Sequence, residues 1–165
     1  ALIKEADSII FLGHGASDTL YGSPQDGEFT VLINETNIQE LLYGKRCFIL
    51  ACNSYEFCEN YNLTSFIGFG NMPTGIVDVK IAMEADTTFP SLEKEDIDTY
   101  DAALVSLLIR AFNVAWLTDM EKLYSKIRLY ANVEIGECLI NKPCKMFREV
   151  ADLLQDFKND CTYCP

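Results

Sequence analysis

The chain has 165 residues, 49% of them hydrophobic and 23% charged, with 25 acidic against 13 basic side chains and a net charge of −12. That length predicts one domain whose core needs no disulfide or metal staples. The acidic balance argues against a nucleic-acid partner, which needs a basic footprint, and no apolar run approaches the ~18 residues of a membrane span. No basic stretch followed by an apolar one marks a secretory signal. With an odd count of seven cysteines, the chain reads as cytoplasmic with reduced thiols.

Residues 1–7 read as the end of a helix and its exit loop. Ser8–Leu12 is apolar without polar alternation, the pattern of a strand buried in a parallel sheet. Gly13 and Gly15 flank the only histidine, His14, so the backbone there can turn sharply and approach a ligand closely. Residues 16–28 carry Gly, Ser, Asp and Pro and predict a loop. Phe29–Ile33 predicts a short β segment; Asn34 or Thr36 would cap a helix through Tyr43, and Gly44 would stop it. Arg46–Ala51 predicts a second buried strand, and the connection of about 30 residues before it is long enough for a parallel crossover. Ser65–Phe69 predicts a third strand, followed by a loop over Gly70–Gly75.

Ile76–Met83 alternates like a strand, yet also allows a helix start at Asp78. Residues 84–99 are acidic, contain a proline and read as an exposed loop. From Tyr100 the period becomes helical. Apolar residues at 100, 104, 107, 108, 111 and 115 form one stripe, and Leu123, Tyr124, Ile127 and Ala131 another over Met120–Ala131. Pro143 suits the first turn of a last helix with Phe147, Val150, Ala151, Leu154 and Phe157 facing inward. The pattern predicts an α/β fold: a mostly parallel sheet flanked by helices over residues 8–83, the acidic loop 84–99, and a helical part over 100–165.

Chemistry gathers at two strand ends. His14 follows the run Ile9-Ile10-Phe11-Leu12-Gly13, and Cys52 stands 38 residues later, after Phe48-Ile49-Leu50-Ala51 and before Asn53-Ser54. If the strands are parallel neighbours, an imidazole and a thiol meet at the carboxyl edge of the sheet, where open α/β sheets hold their sites. Those are the parts of a cysteine nucleophile with a general base. A helix starting just after Cys52 would also help stabilise a thiolate there. Cys47, inside its strand, reads as an inert small hydrophobe. Cys138, Cys144, Cys161 and Cys164 allow a four-thiolate zinc site, but their intervals are not those of a standard ribbon, so neither metal nor cofactor is assigned. No Gly-x-Ser-x-Gly nucleophile elbow is present, which argues against an α/β hydrolase.

These two segments resemble the caspase-like cysteine peptidases, the group of caspases, clostripain, gingipains, separase and bacterial CHAT domains. Leu20-Tyr21-Gly22-Ser23, at its interval after His-Gly, makes the CHAT branch the most similar. The likeness covers about residues 8–75. It implies a cysteine endopeptidase acting on a protein or peptide substrate, with Cys52 as nucleophile, His14 assisting proton transfer, and the N–H groups of Gly15 and Cys52 as oxyanion donors. It also implies a regulated effector in bacterial defence. Members selective for Arg or Lys place a carboxylate in the specificity pocket, for which Asp78 is the candidate and Asp18 and Asp26 are lesser ones. Residues 84–99 fall where some relatives carry an activation segment. Relatives also have a strand and helix ahead of the His-Gly strand, whereas seven residues precede it here. An upstream domain or partner chain is therefore expected to cover an open sheet edge. The alternative is a catalytically silent scaffolding or protein-binding module of the same fold.

Overall fold

The computed structural model describes residues 5–23, 28–73, 75, 79 and 91–165. The chain divides into two compact units, the first formed by residues 1–72, 115–124 and 160–165, the second by 73–114 and 125–159. It is a mixed α/β protein with a mostly parallel sheet.

The first unit contains β1 (Ser8–Leu12), β2 (His14–Gly15), β3 (Leu20–Tyr21), β4 (Val31–Ile33), α1 (Ile38–Leu42), β5 (Arg46–Leu50), α2 (Ser54–Asn60), β6 (Phe66–Gly68) and, from the chain's last residues, β7 (Thr162–Cys164). The main sheet has the order β1-β5-β6-β7. β1 and β5 pair in parallel from Ser8↔Arg46 to Leu12↔Leu50, β5 and β6 also in parallel, and β7 closes the far side antiparallel to β6. The unbroken apolar run of β5 is explained by its central place: Cys47, Phe48 and Ile49 are fully buried, so both faces of the strand need apolar side chains. β1 departs from that expectation. Among the described residues it is an edge strand, and while Ile9 and Phe11 pack on the core, Ile10 and Leu12 remain 41% and 67% exposed.

Gly44 takes φ +72° just past α1, the left-handed position that stops a helix and favours glycine. Asn34 does not cap α1, whose N-cap is Asn37; its side chain instead accepts from the Thr36 N–H and hydroxyl in a local turn. Residues 16–28, expected as a loop, contribute β3 to a small antiparallel sheet of order β2-β3-β4. Three-residue β7 was not expected either; it occupies the Cys161–Cys164 stretch that invited a zinc reading.

The second unit holds α3 (Lys94–Val114), most of α4 (Met120–Asn141) and nearly all of α5 (Phe147–Asp160). Leu104, Leu107, Ala111, Ile127, Ala131, Val150, Ala151 and Leu154 are buried, following the helical stripes. Two boundaries differ from expectation. Pro143 lies in the connection before α5 rather than in its first turn, and α4 runs ten residues past Ala131. The expected acidic loop 84–99 is also shorter than its range, because Lys94–Thr99 is the first turn and a half of α3; residues 84–90 lie outside the described residues.

Asp96 explains that early start. Only 2% exposed, it accepts the Glu93 N–H through Oδ2 (2.9 Å) and the Met146 N–H through Oδ1 (3.1 Å). Burial alone would raise its pKa, but these two backbone donors, the Cys144 thiol and the Lys145 charge outweigh it and hold the carboxyl below the ordinary value of 3.8. A carboxyl depressed in the folded state stabilises at pH values above its unfolded pKa, and that contribution is lost as pH falls through the folded one. Asp96→Asn, which keeps only one acceptor oxygen, is expected to cost about 1–3 kcal/mol at pH 7. In urea titrations the gap between wild type and variant should close below about pH 4.

Candidate active site

His14 and Cys52 both follow the carboxyl ends of paired strands. β1 ends at Leu12 and β5 at Leu50, directly opposite each other in parallel register, and the Gly13 N–H bonds the Leu50 carbonyl at 3.2 Å. The following backbones converge closely. A Cβ built on Gly15 would stand 2.5 Å from the Cys52 carbonyl oxygen and 3.0 Å from the Ala51 Cβ. Only glycine permits that approach. Gly15 and Cys52, the two residues expected to supply oxyanion donors, are thus brought together through their backbones.

The Cys52 loop is tied down by a buried hydroxyl. Ser54 is fully buried; its Oγ donates to the Ile49 carbonyl at 2.7 Å and accepts the Phe69 N–H at 2.8 Å, linking β5, the start of α2 and the end of β6. The Asn53 N–H bonds the Gly70 carbonyl (2.9 Å) and the Tyr55 N–H the Phe69 carbonyl (3.0 Å). Asn53 adopts φ 54°, a left-handed conformation that asparagine tolerates better than most residues, and this lets α2 begin two residues after Cys52. Ser54 was not singled out from sequence; its position just after a cysteine-bearing strand end was the only signal.

The thiol contacts the backbone of Met72 on both sides of its Cα. Cys52 Sγ donates to the Met72 carbonyl at 3.1 Å and accepts the Met72 N–H at 3.4 Å. The imidazole of His14 packs against an aromatic ring. Among the described residues its contact is edge-to-face with the Phe29 ring, centroids 4.7 Å apart, and it makes no hydrogen bond to the thiol. The arrangement therefore gathers the parts at one edge without a closed dyad. Catalytic hydrogen bonds are often long or misaligned in ligand-free enzymes and tighten only around substrate.

The other cysteines of this unit differ in chemistry. Burial pushes the Cys47 thiol up to about 12, with Lys45 opposing weakly, and burial also raises Cys58, helped by Cys47 and Cys164. Both remain protonated at neutral pH and are inert as nucleophiles. No disulfide joins any of the seven cysteines, and no group of three or more metal-ligating side chains is gathered among the described residues. Asp78 and Asp26 lie outside the described residues. Asp18 is exposed in the β2–β3 turn, where its carbonyl accepts the Tyr61 hydroxyl. Two cavities are lined by neither His14 nor Cys52: one of 390 Å³ in the first unit is lined by Tyr55, Glu59, Phe66 and Cys164, and one of 260 Å³ in the second by Glu134, Glu137 and Cys138. No described helix is long and apolar enough to cross a membrane.

Compared with protein-family models, curated proteins and solved structures, the chain finds no match.

Two substitutions test this construction. Ser54→Ala leaves a buried N–H and carbonyl without partners and is expected to cost about 1–3 kcal/mol in chemical denaturation. Gly15→Ala forces a backbone shift costing a similar ~1–3 kcal/mol. Neutral effects from both would mean that the two strand ends are not packed as described.

Proposed function

We propose that this chain carries the catalytic core of a caspase-like cysteine endopeptidase, related to the CHAT type, that cleaves a protein substrate with Cys52 as nucleophile. The observation that carries the reading is the meeting of Gly15 with the Cys52 carbonyl, at the carboxyl edge of paired parallel strands that lead into His14 and Cys52. In this reaction the Cys52 sulfur attacks the scissile carbonyl carbon and its proton passes to His14. The oxyanion is met by backbone N–H groups of Gly15 and Cys52. His14 then protonates the departing amine as the C–N bond breaks, leaving a thioester that water hydrolyses. The site calls for no cofactor. A regulated role in bacterial defence follows from the resemblance alone.

Among the described residues no strand pairs with the outer edge of β1, and that edge is where an upstream segment or a partner chain would extend the sheet. The silent-scaffold alternative draws on the open dyad, since the thiol engages Met72 while the imidazole leans on Phe29.

An irreversible peptidyl acyloxymethyl ketone separates the two readings. Intact mass and peptide mapping are expected to give one adduct on Cys52, absent from Cys52→Ala and at least ~10-fold slower in His14→Ala. No adduct would favour the scaffold, and an adduct on Cys58 or Cys164 would mean that the nucleophile is another thiol.

A further inference from the structure

The small sheet has two unlike faces. Its inner face runs Gly15, Leu20 and Ile33 in register, with Leu20 and Ile33 buried in the core. Its outer face runs His14, Tyr21 and Val31 in register, joined by the Phe29 ring, which stands 4.7 Å from the imidazole and 6.0 Å from Tyr21. Phe29 and Val31 are 50% and 49% exposed. Every side chain that the register sets on this face is apolar or aromatic, apart from the histidine itself. Nothing in the fold of this unit requires its sole histidine to stand on an exposed aromatic face. That face offers apolar and aromatic contact beside the imidazole.

We propose that Tyr21, Phe29 and Val31 form the subsite that receives an apolar or aromatic side chain of the substrate, at the residue adjoining the scissile bond. This rests on the reading of Cys52 as a nucleophile served by His14. The occupant follows from continuity: His14 adjoins Gly15 in β2, a peptide held with its carbonyl between Gly15 and Cys52 would lie beside that strand, and the ring flanking the imidazole is the apolar Phe29. A basic or acidic side chain would lose part of its hydration against these apolar groups. An aromatic one would gain contact with Phe29 and Tyr21. Covering the face would also exclude water from the imidazole during proton transfer. The specificity so assigned is the opposite of the basic preference for which Asp78 was a candidate.

The test compares four tripeptidyl acyloxymethyl ketones that differ only in bearing Phe, Leu, Arg or Asp next to the ketone. In the labelling step the Cys52 sulfur bonds the methylene carbon, the carboxylate leaves with the electrons of its C–O bond, and the thiol proton is taken up by His14. The whole chain is used, and adduct formation at Cys52 is timed by intact mass. The Phe and Leu reagents are expected to react at least ~10-fold faster than the Arg and Asp ones. Val31→Asp, a substitution at an exposed position, should slow the Phe reagent about 5- to 10-fold and spare or speed the Arg reagent, and Phe29→Ala should slow the Phe reagent similarly. Circular dichroism checks that both variants fold. Equal or faster labelling by the Arg or Asp reagent would overturn the subsite while leaving the peptidase reading intact. If iodoacetamide alkylates Cys52 but none of the four peptidyl reagents does, both fall together.

Discussion

Two backbone segments can close to the separation seen between Gly15 and the Cys52 carbonyl only where no side chain stands at the crossing. Everything proposed for this chain depends on that approach. It joins the end of the His-Gly strand to the end of the cysteine strand, and so converts two distant stretches of sequence into one sheet edge. The hydroxyl of Ser54 completes the constraint from below. By bonding Ile49 and Phe69 at once, it holds the Cys52 turn against both neighbouring strands with no room for the loop to drift. Buried polar groups satisfied in this way rigidify a local geometry, since breaking either bond strands a partner away from water.

At the resting edge the Cys52 thiol donates to the Met72 carbonyl at 3.1 Å. The Met72 N–H, from the preceding peptide unit, is directed at the same sulfur at 3.4 Å. Selectivity among the thiols follows from burial. Cys47 and Cys58 are locked in the core, whereas Cys52 opens onto the edge beside a backbone cradle. Phe29 meets the imidazole edge-to-face, with ring centroids 4.7 Å apart.

What the sequence revealed and what it hid divide along physical lines. The strand over Ser8–Leu12 was legible to the residue, and the cores of Arg46–Ala51 and Ser65–Phe69 nearly so, because uninterrupted apolar runs leave few other places for a chain to go. The edge character of β1 was not legible from its own residues, since Ile10 and Leu12 look as buried in sequence as Phe48 does. β7 was hidden because three residues carry too little periodicity to announce a strand, and the flanking cysteines suggested a different chemistry. The start of α3 was masked by its own acidic turn, in which Asp96 is not solvated but satisfied by backbone donors. At the site, the glycine, histidine and cysteine announced themselves by type. The Met72 contacts are made entirely by backbone and leave no mark on residue identity, and the two-faced small sheet rests on two-residue strands that the loop composition of residues 16–28 concealed.

The central claim is that His14 and Cys52 act together across one sheet edge. The rate of Cys52 carboxamidomethylation by iodoacetamide, followed against pH in wild type and His14→Ala, tests it most directly because it needs neither substrate nor specificity. Cooperation predicts that removing the imidazole lowers the rate at neutral pH by about tenfold or more and displaces the profile toward alkaline pH. Superimposable profiles would contradict it, leaving two neighbours that share an edge but no chemistry.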